Sequence, residues 1–180
     1  MGDYPSQLLH QRRLVTLMER LHDCLENEIG CKHWSSALVL ALTLIDISAK
    51  NFSSSDSPTA RYVEWYNQFL LPTYTGKIGP NQQKQVFLSG EDCYALRCSL
   101  LHEGKTEISR QRIQKALNDF DFRIPPATGS IHMNLSNDSL QLQIDIFLKD
   151  VLNSCRKWWK SLTEKHKADI DSSLLQIREW

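Results

Sequence analysis

Two side chains in this 180-residue sequence have the types and spacing needed for acid–base chemistry on a phosphodiester. They are Arg97 and His102, five residues apart in the segment EDCYALRCSLLHEG. A histidine moves a proton near neutral pH, and a fixed guanidinium stabilises the charge that gathers on a phosphorane. Together they suffice for RNA cleavage without a metal, with the ribose 2′-hydroxyl as nucleophile. On helical spacing Arg97 falls in the middle of a broad apolar arc made by Cys93, Tyr94, Leu96, Cys98, Leu100 and Leu101, while Glu91, Asp92, Ser99 and Glu103 take the opposite side. An arginine aimed at a core cannot shed its charge and needs an anionic partner. Asp46 is the single charged residue between Ala37 and Ala49, and a buried carboxylate has the same need. The expectation is that Asp46 and Arg97 meet. In one version they form a structural ion pair that locks two core helices. In the other the pair borders a cleft and holds Arg97 for an anionic ligand. His102 sits in the last helical turn, roughly 7.5 Å along the axis from Arg97 and about 140° around it, so convergence requires arginine's reach or a second protomer.

The elements that must position these residues follow from apolar periodicity. Leu14, Met18, Leu21 and Leu25 form one stripe of an amphipathic helix over about 6–28, and Ile144, Leu148, Val151, Cys155, Trp158 and Leu162 keep the same alternation in a long C-terminal helix. These two are natural packing partners. A second helix, about 35–50, is apolar on nearly all sides and should be the central rod of a bundle. Ser57-Pro58 reads as a cap with proline at the first helical position, opening a helix that runs to about Leu70. Residues 71–88, with Pro72, Gly76, Gly79 and Pro80, read as a long surface connection. Ser89 with Asp92 is a capping box for the helix of Arg97 and His102, which Gly104 closes. Residues 106–117 fit either helix or loop. Phe120, Phe122 and Ile124 alternate, as do Ile131, Met133 and Leu135, which suggests a hairpin, with Leu140, Leu142 and Ile144 adding a third short strand. The expected fold is mainly α: a bundle of about five helices with a small antiparallel β element, about 119–143, before the long C-terminal helix.

Composition narrows the function classes. With 21 basic and 21 acidic residues the net charge is zero, which excludes binding of nucleic acid by bulk electrostatics and requires a local patch instead. The cysteines, Cys24, Cys31, Cys93, Cys98 and Cys155, are odd in number and scattered, and read as reduced, buried thiols of a cytoplasmic protein. Cys98 reads as a packed thiol rather than a nucleophile. The opening MGDYPSQLLHQRR lacks an apolar core, so no secretory leader is expected, and the apolar stretch 37–45 is short for a bilayer span, so no membrane partner is expected. His10, His22, His33, His132 and His166 show no metal-ligand spacing, and neither a metal nor a cofactor is expected. Trp158 and Trp159 should place one ring in the core and the other at a helix or subunit contact. The basic residues Arg156, Lys157, Lys160, Lys165 and Lys167 read as a solvated face of the last helix, with phosphate tracking as the lesser reading.

The run Arg97-Cys98-Ser99-Leu100-Leu101-His102 fits the pattern R-x(4–6)-H, and in this respect the sequence resembles the HEPN (higher eukaryotes and prokaryotes nucleotide-binding) superfamily of all-helical domains. The setting is similar too: a late helix of a bundle, with an acidic residue on an earlier helix. The resemblance implies one HEPN-like domain over 1–180 with a β-hairpin insertion at about 118–143. It implies a homodimer whose paired motifs line one groove, acting on RNA as a metal-independent endoribonuclease of a toxin–antitoxin or antiphage system, with a cognate antitoxin or partner protein. Arg97 and His102 would then be catalytic and Asp46 supporting. The alternative is a non-catalytic helical interaction module in which the Asp46–Arg97 pair is structural.

Overall fold

The computed structural model describes residues 16–175. Among them are six helices: α1 Leu17–Gly30, α2 Trp34–Phe52, α3 Pro58–Phe69, α4 Gly90–Glu103, α5 Ile144–Ser161 and α6 Glu164–Ser173. The protein is mainly helical, as the periodicity requires. The part of the expected first helix before residue 16, including Leu14, lies outside the described residues. Thr16 starts α1 with a reciprocal cap: its hydroxyl accepts from the Glu19 amide at 3.2 Å and its own amide donates to the Glu19 carboxylate at 3.0 Å. Met18 and Leu25 are buried on the stripe that faces the bundle, and α1 packs against both α2 and α5.

Helix α2 is the central rod. It packs against α1, α3, α4 and α5, burying Ala37, Leu38, Ala41, Leu42, Leu44, Ile45, Ser48 and Ala49. By length and composition alone these 19 residues could also cross a membrane, which the 37–45 stretch read by itself understates. One side stays open, at Val39, Thr43, Asp46 and Lys50, spaced at +4, +3 and +4. Helix α3 begins as expected, with the Ser57 hydroxyl accepting from the Ala60 amide at 3.3 Å and Pro58 at the first position. It buries Tyr62, Trp65 and Tyr66.

Residues 71–88 are not a bare connection. They hold an antiparallel hairpin of β1 Thr75–Ile78 and β2 Gln83–Val86, in the register Thr75↔Val86 and Ile78↔Gln83. Gly79 and Gln82 turn it with positive φ, 69° and 52°. Periodicity does not mark these strands because β2 is largely polar and exposed.

The second sheet differs from the expected hairpin in its pairing. Strands β3 Asp119–Arg123, β4 Asn134–Ser136 and β5 Ser139–Gln143 lie in the order β3-β5-β4. Strand β5 pairs with β4 antiparallel and with β3 parallel, so the 120–124 and 131–135 segments are not neighbours. The cause is local. Asn137 and Asp138 both take positive φ, 48° and 61°, the geometry of a two-residue turn that matches strand twist, so β4 folds onto β5. That leaves the other edge of β5 for β3. The strand then runs straight into α5.

The C-terminal helix ends at Ser161, and α6 starts afresh with the Thr163 hydroxyl accepting from the His166 amide at 3.3 Å. The basic residues read as one stripe therefore lie on two helices. Both Trp158 and Trp159 are buried, so neither ring is left exposed. Cys93 and Cys155 are buried, but Cys24 and Cys31 are exposed, on and just after an α1 face that points to solvent.

Candidate functional site

Helix α4 carries the candidate pair, and its two ends are firmly set. The Ser89 hydroxyl accepts from the Asp92 amide at 3.0 Å and donates to the Asp92 carboxylate at 2.6 Å, so the expected box closes through the hydroxyl. Gly104 ends the helix at φ 69°, its amide reaching the Leu100 carbonyl at 3.0 Å. Asp92 and Ser99, placed by periodicity on the solvent side, are each only 1% exposed. The segment 105–118 covers that side. The other Asp92 carboxylate oxygen accepts the backbone amides of Lys115 at 2.7 Å, Ala116 at 3.1 Å and Leu117 at 3.4 Å, and the Ser99 hydroxyl donates to the Glu107 carbonyl at 2.7 Å.

Because both sides of α4 are engaged, the Arg97 side turns outward rather than into the core. Its side chain is 23% exposed and that of Asp46 is 29% exposed, at the rim of the bundle. The expected meeting takes place: Arg97 Nε donates to Asp46 Oδ2 at 2.5 Å. Partial burial pushes the Asp46 carboxyl up, and Arg97, with His102 beyond it, pulls it back. Arg97 Nη1 then lies 3.2 Å from His102 Nε2. Arginine's reach thus brings the two together within one chain, despite their divergent Cβ directions. A guanidinium has only donors, so this contact is a hydrogen bond when Nε2 carries its lone pair and the ring proton sits on Nδ1. That is the form a general base requires. His102 is exposed and open to a ligand.

Two further cations complete the site, and the motif-based reading does not include them. Asp46, Ala49, Lys50, Pro58, Arg61 and Arg97 line a cleft of about 220 Å³. Lys50 lies one helical turn after Asp46 on the open side of α2, a spacing visible in the sequence. Arg61, from the first turn of α3, donates through Nη1 to the carbonyls of Ser55 at 2.6 Å and Asp56 at 3.1 Å. Nothing in the periodicity announces that it lines the same cleft as Arg97. Cys98, next to Arg97, is half-buried. Among the described residues no group of three or more His, Cys, Asp or Glu side chains is arranged to hold a metal ion.

The other described histidines do not join this site, and His10 lies outside the described residues. His22 is 3% exposed in α1, its Nε2 without a hydrogen-bond partner among the described residues. Burial, helped by the Arg156 charge, lowers its pKa to about 4. The unfolded chain therefore takes up a proton near pH 6.5 that the folded protein refuses until about pH 4. Stability is full above the unfolded value and falls as pH drops through this window, by on the order of 3 kcal/mol from this group. His132, buried 3.8 Å from Asp150, is also lowered and acts in the same direction. Urea denaturation at pH 7 and pH 4.5 should show the loss, and His22→Leu should reduce it. An identical pH dependence in the variant would refute the assignment.

No family model matches the chain, and no curated protein or solved structure is significantly similar to it.

Proposed function

We propose that the chain is a HEPN-like, cytoplasmic, RNA-directed protein that cleaves RNA without a metal ion. On this reading it works as a homodimer in a toxin–antitoxin or antiphage setting, with a cognate antitoxin or partner protein. The observation that carries the reading is the 3.2 Å approach of Arg97 Nη1 to His102 Nε2 at the edge of a cleft lined by cations. In the reaction His102 Nε2 takes the proton of a ribose 2′-hydroxyl, and the 2′-oxygen bonds to phosphorus. The P–O5′ bond breaks, the 5′-oxygen leaves with a proton from water, and the His102 imidazolium returns its proton to the hydroxide so formed. Arg97 moves its Nη hydrogen bond from the imidazole to a non-bridging phosphate oxygen, where charge builds up. Asp46 keeps hold of Nε and so fixes the plane of the guanidinium while the other nitrogens change partner. Tyr94 and Leu101, one turn on either side of Arg97, are only partly buried, which supports docking of a second copy over this face.

The test is single-stranded RNA incubated with the protein in EDTA. The expected products end in a 2′,3′-cyclic phosphate and a 5′-hydroxyl. RNA that stays intact overturns the enzyme reading. It would favour the second reading, a non-catalytic interaction module, which the 2.5 Å Asp46–Arg97 pair between α2 and α4 supports as a purely structural clamp.

A further inference from the structure

We infer that Lys50 and Arg61 form a subsite for the phosphate next to the scissile one, so that the preferred substrate is an RNA strand with at least two consecutive phosphodiesters. This rests on the reading of Arg97 and His102 given above. Three cations, Lys50, Arg61 and Arg97, line one cleft whose single carboxylate, Asp46, is already bound to Arg97 Nε. Neither Lys50 nor Arg61 forms an ion pair with any other described residue. Such an excess of like charge in one concavity is unfavourable until an anion enters it.

The anion's class follows from the donors and the space. Arg61 Nη1 is held by two carbonyls of the loop before α3, which fixes the guanidinium, and its remaining nitrogens have no partner among the described residues. A fixed guanidinium beside an ammonium suits a tetrahedral oxyanion with several acceptors. Pro58 brings the N-terminal end of the 12-residue helix α3 to the same cleft, and its partial positive charge adds to the field. At about 220 Å³ the cleft is smaller than the roughly 300–1,000 Å³ of sites that enclose a whole organic ligand. It therefore takes a phosphate with part of its sugar rather than a complete nucleotide. Arg97 belongs both to this cleft and to the contact with His102, so one side chain joins the reacting phosphate to its neighbour.

The test measures binding of a fluorescently labelled eight-nucleotide single-stranded RNA against salt concentration, for the wild type and the variants Lys50→Ala, Lys50→Arg and Lys50→Ala/Arg61→Ala. Each lost phosphate contact should lower the slope of log affinity against log salt by about 0.7. Because both cations face one phosphate, Lys50→Ala should lose part of that roughly 0.7 and the double variant all of it, with affinity tenfold or more weaker, while Lys50→Arg keeps the wild-type slope. Arg61→Ala also removes bonds to the 55–56 loop. Lys50→Ala, at an exposed position, therefore supports or sinks the inference even where the double variant misfolds. Wild-type slopes in folded variants, with wild-type RNA cleavage intact, overturn the subsite and leave the Arg97–His102 reading standing. A wild-type protein that neither binds nor cleaves RNA overturns both.

Discussion

His102→Ala should give a protein that folds as the wild type does and cleaves RNA at least about a hundredfold more slowly, within the 10²–10⁴ range typical of a positioned acid–base group. The separation of activity from stability follows from where the residue sits. His102 is exposed in the last turn of α4, and among the described residues its side chain is bonded only to Arg97. Removing it leaves no buried group unsatisfied, and an exposed substitution of this kind shifts stability by no more than about 0.5 kcal/mol. Asp46–Arg97, which joins α2 to α4, remains in place. The measurement is a single-turnover cleavage rate on a defined RNA, with a thermal melt of the same preparation. A folded variant that cleaves at the wild-type rate would remove His102 from the chemistry.

The largest effect on stability should come from Asp92. One carboxylate oxygen accepts three consecutive backbone amides from 115–117 and the other accepts the Ser89 hydroxyl, all at a residue 1% exposed. Asp92→Ala deprives four donors of their acceptor at once, the Leu117 amide and Ser89 hydroxyl buried and the Lys115 and Ala116 amides partly so. Each such group costs about 1–3 kcal/mol when left unmade, so the total loss should reach about 3–5 kcal/mol, with some relief as water enters. Asp92→Asn keeps the size and one carbonyl oxygen, so it should lose less. Denaturant titration of the three proteins checks the order. A loss below about 1 kcal/mol for alanine would mean that the 105–118 segment does not depend on this anchor.

Much of the fold is legible because helices announce themselves by period and cap. The described part of the α1 stripe, the α5 stripe as far as Trp158, the apolar run of α2, Ser57-Pro58 before α3 and Ser89 with Gly104 around α4 appear in the structure where the sequence places them. Pairing between distant strands leaves no such local mark. Periodicity identifies 120–124 and 131–135 as strand-like, but which edges join depends on the Asn137-Asp138 turn and on what remains open on β5. The site shows the same division. That Asp46 and Arg97 must find each other follows from the cost of unpaired charge. That they do so at the rim follows from the 105–118 segment occupying the other side of α4, which no spacing rule foresees. Arg61 escapes detection for a similar reason, since its direction is set by two loop carbonyls.

The packing of α2 against α5 shapes how the protein is made. The apolar rod of α2 is complete at residue 52, but the helix that covers much of it ends only at residue 161. Arg156 likewise grips Glu26 from 130 residues away. At translation speeds of about 5–20 residues per second, the rod leaves the ribosome several seconds or more before its cover is synthesised. During that interval a long apolar helix stands half-dressed in the cell, the kind of surface that chaperones bind. A chain cut short before α5 therefore lacks the helix that closes this core.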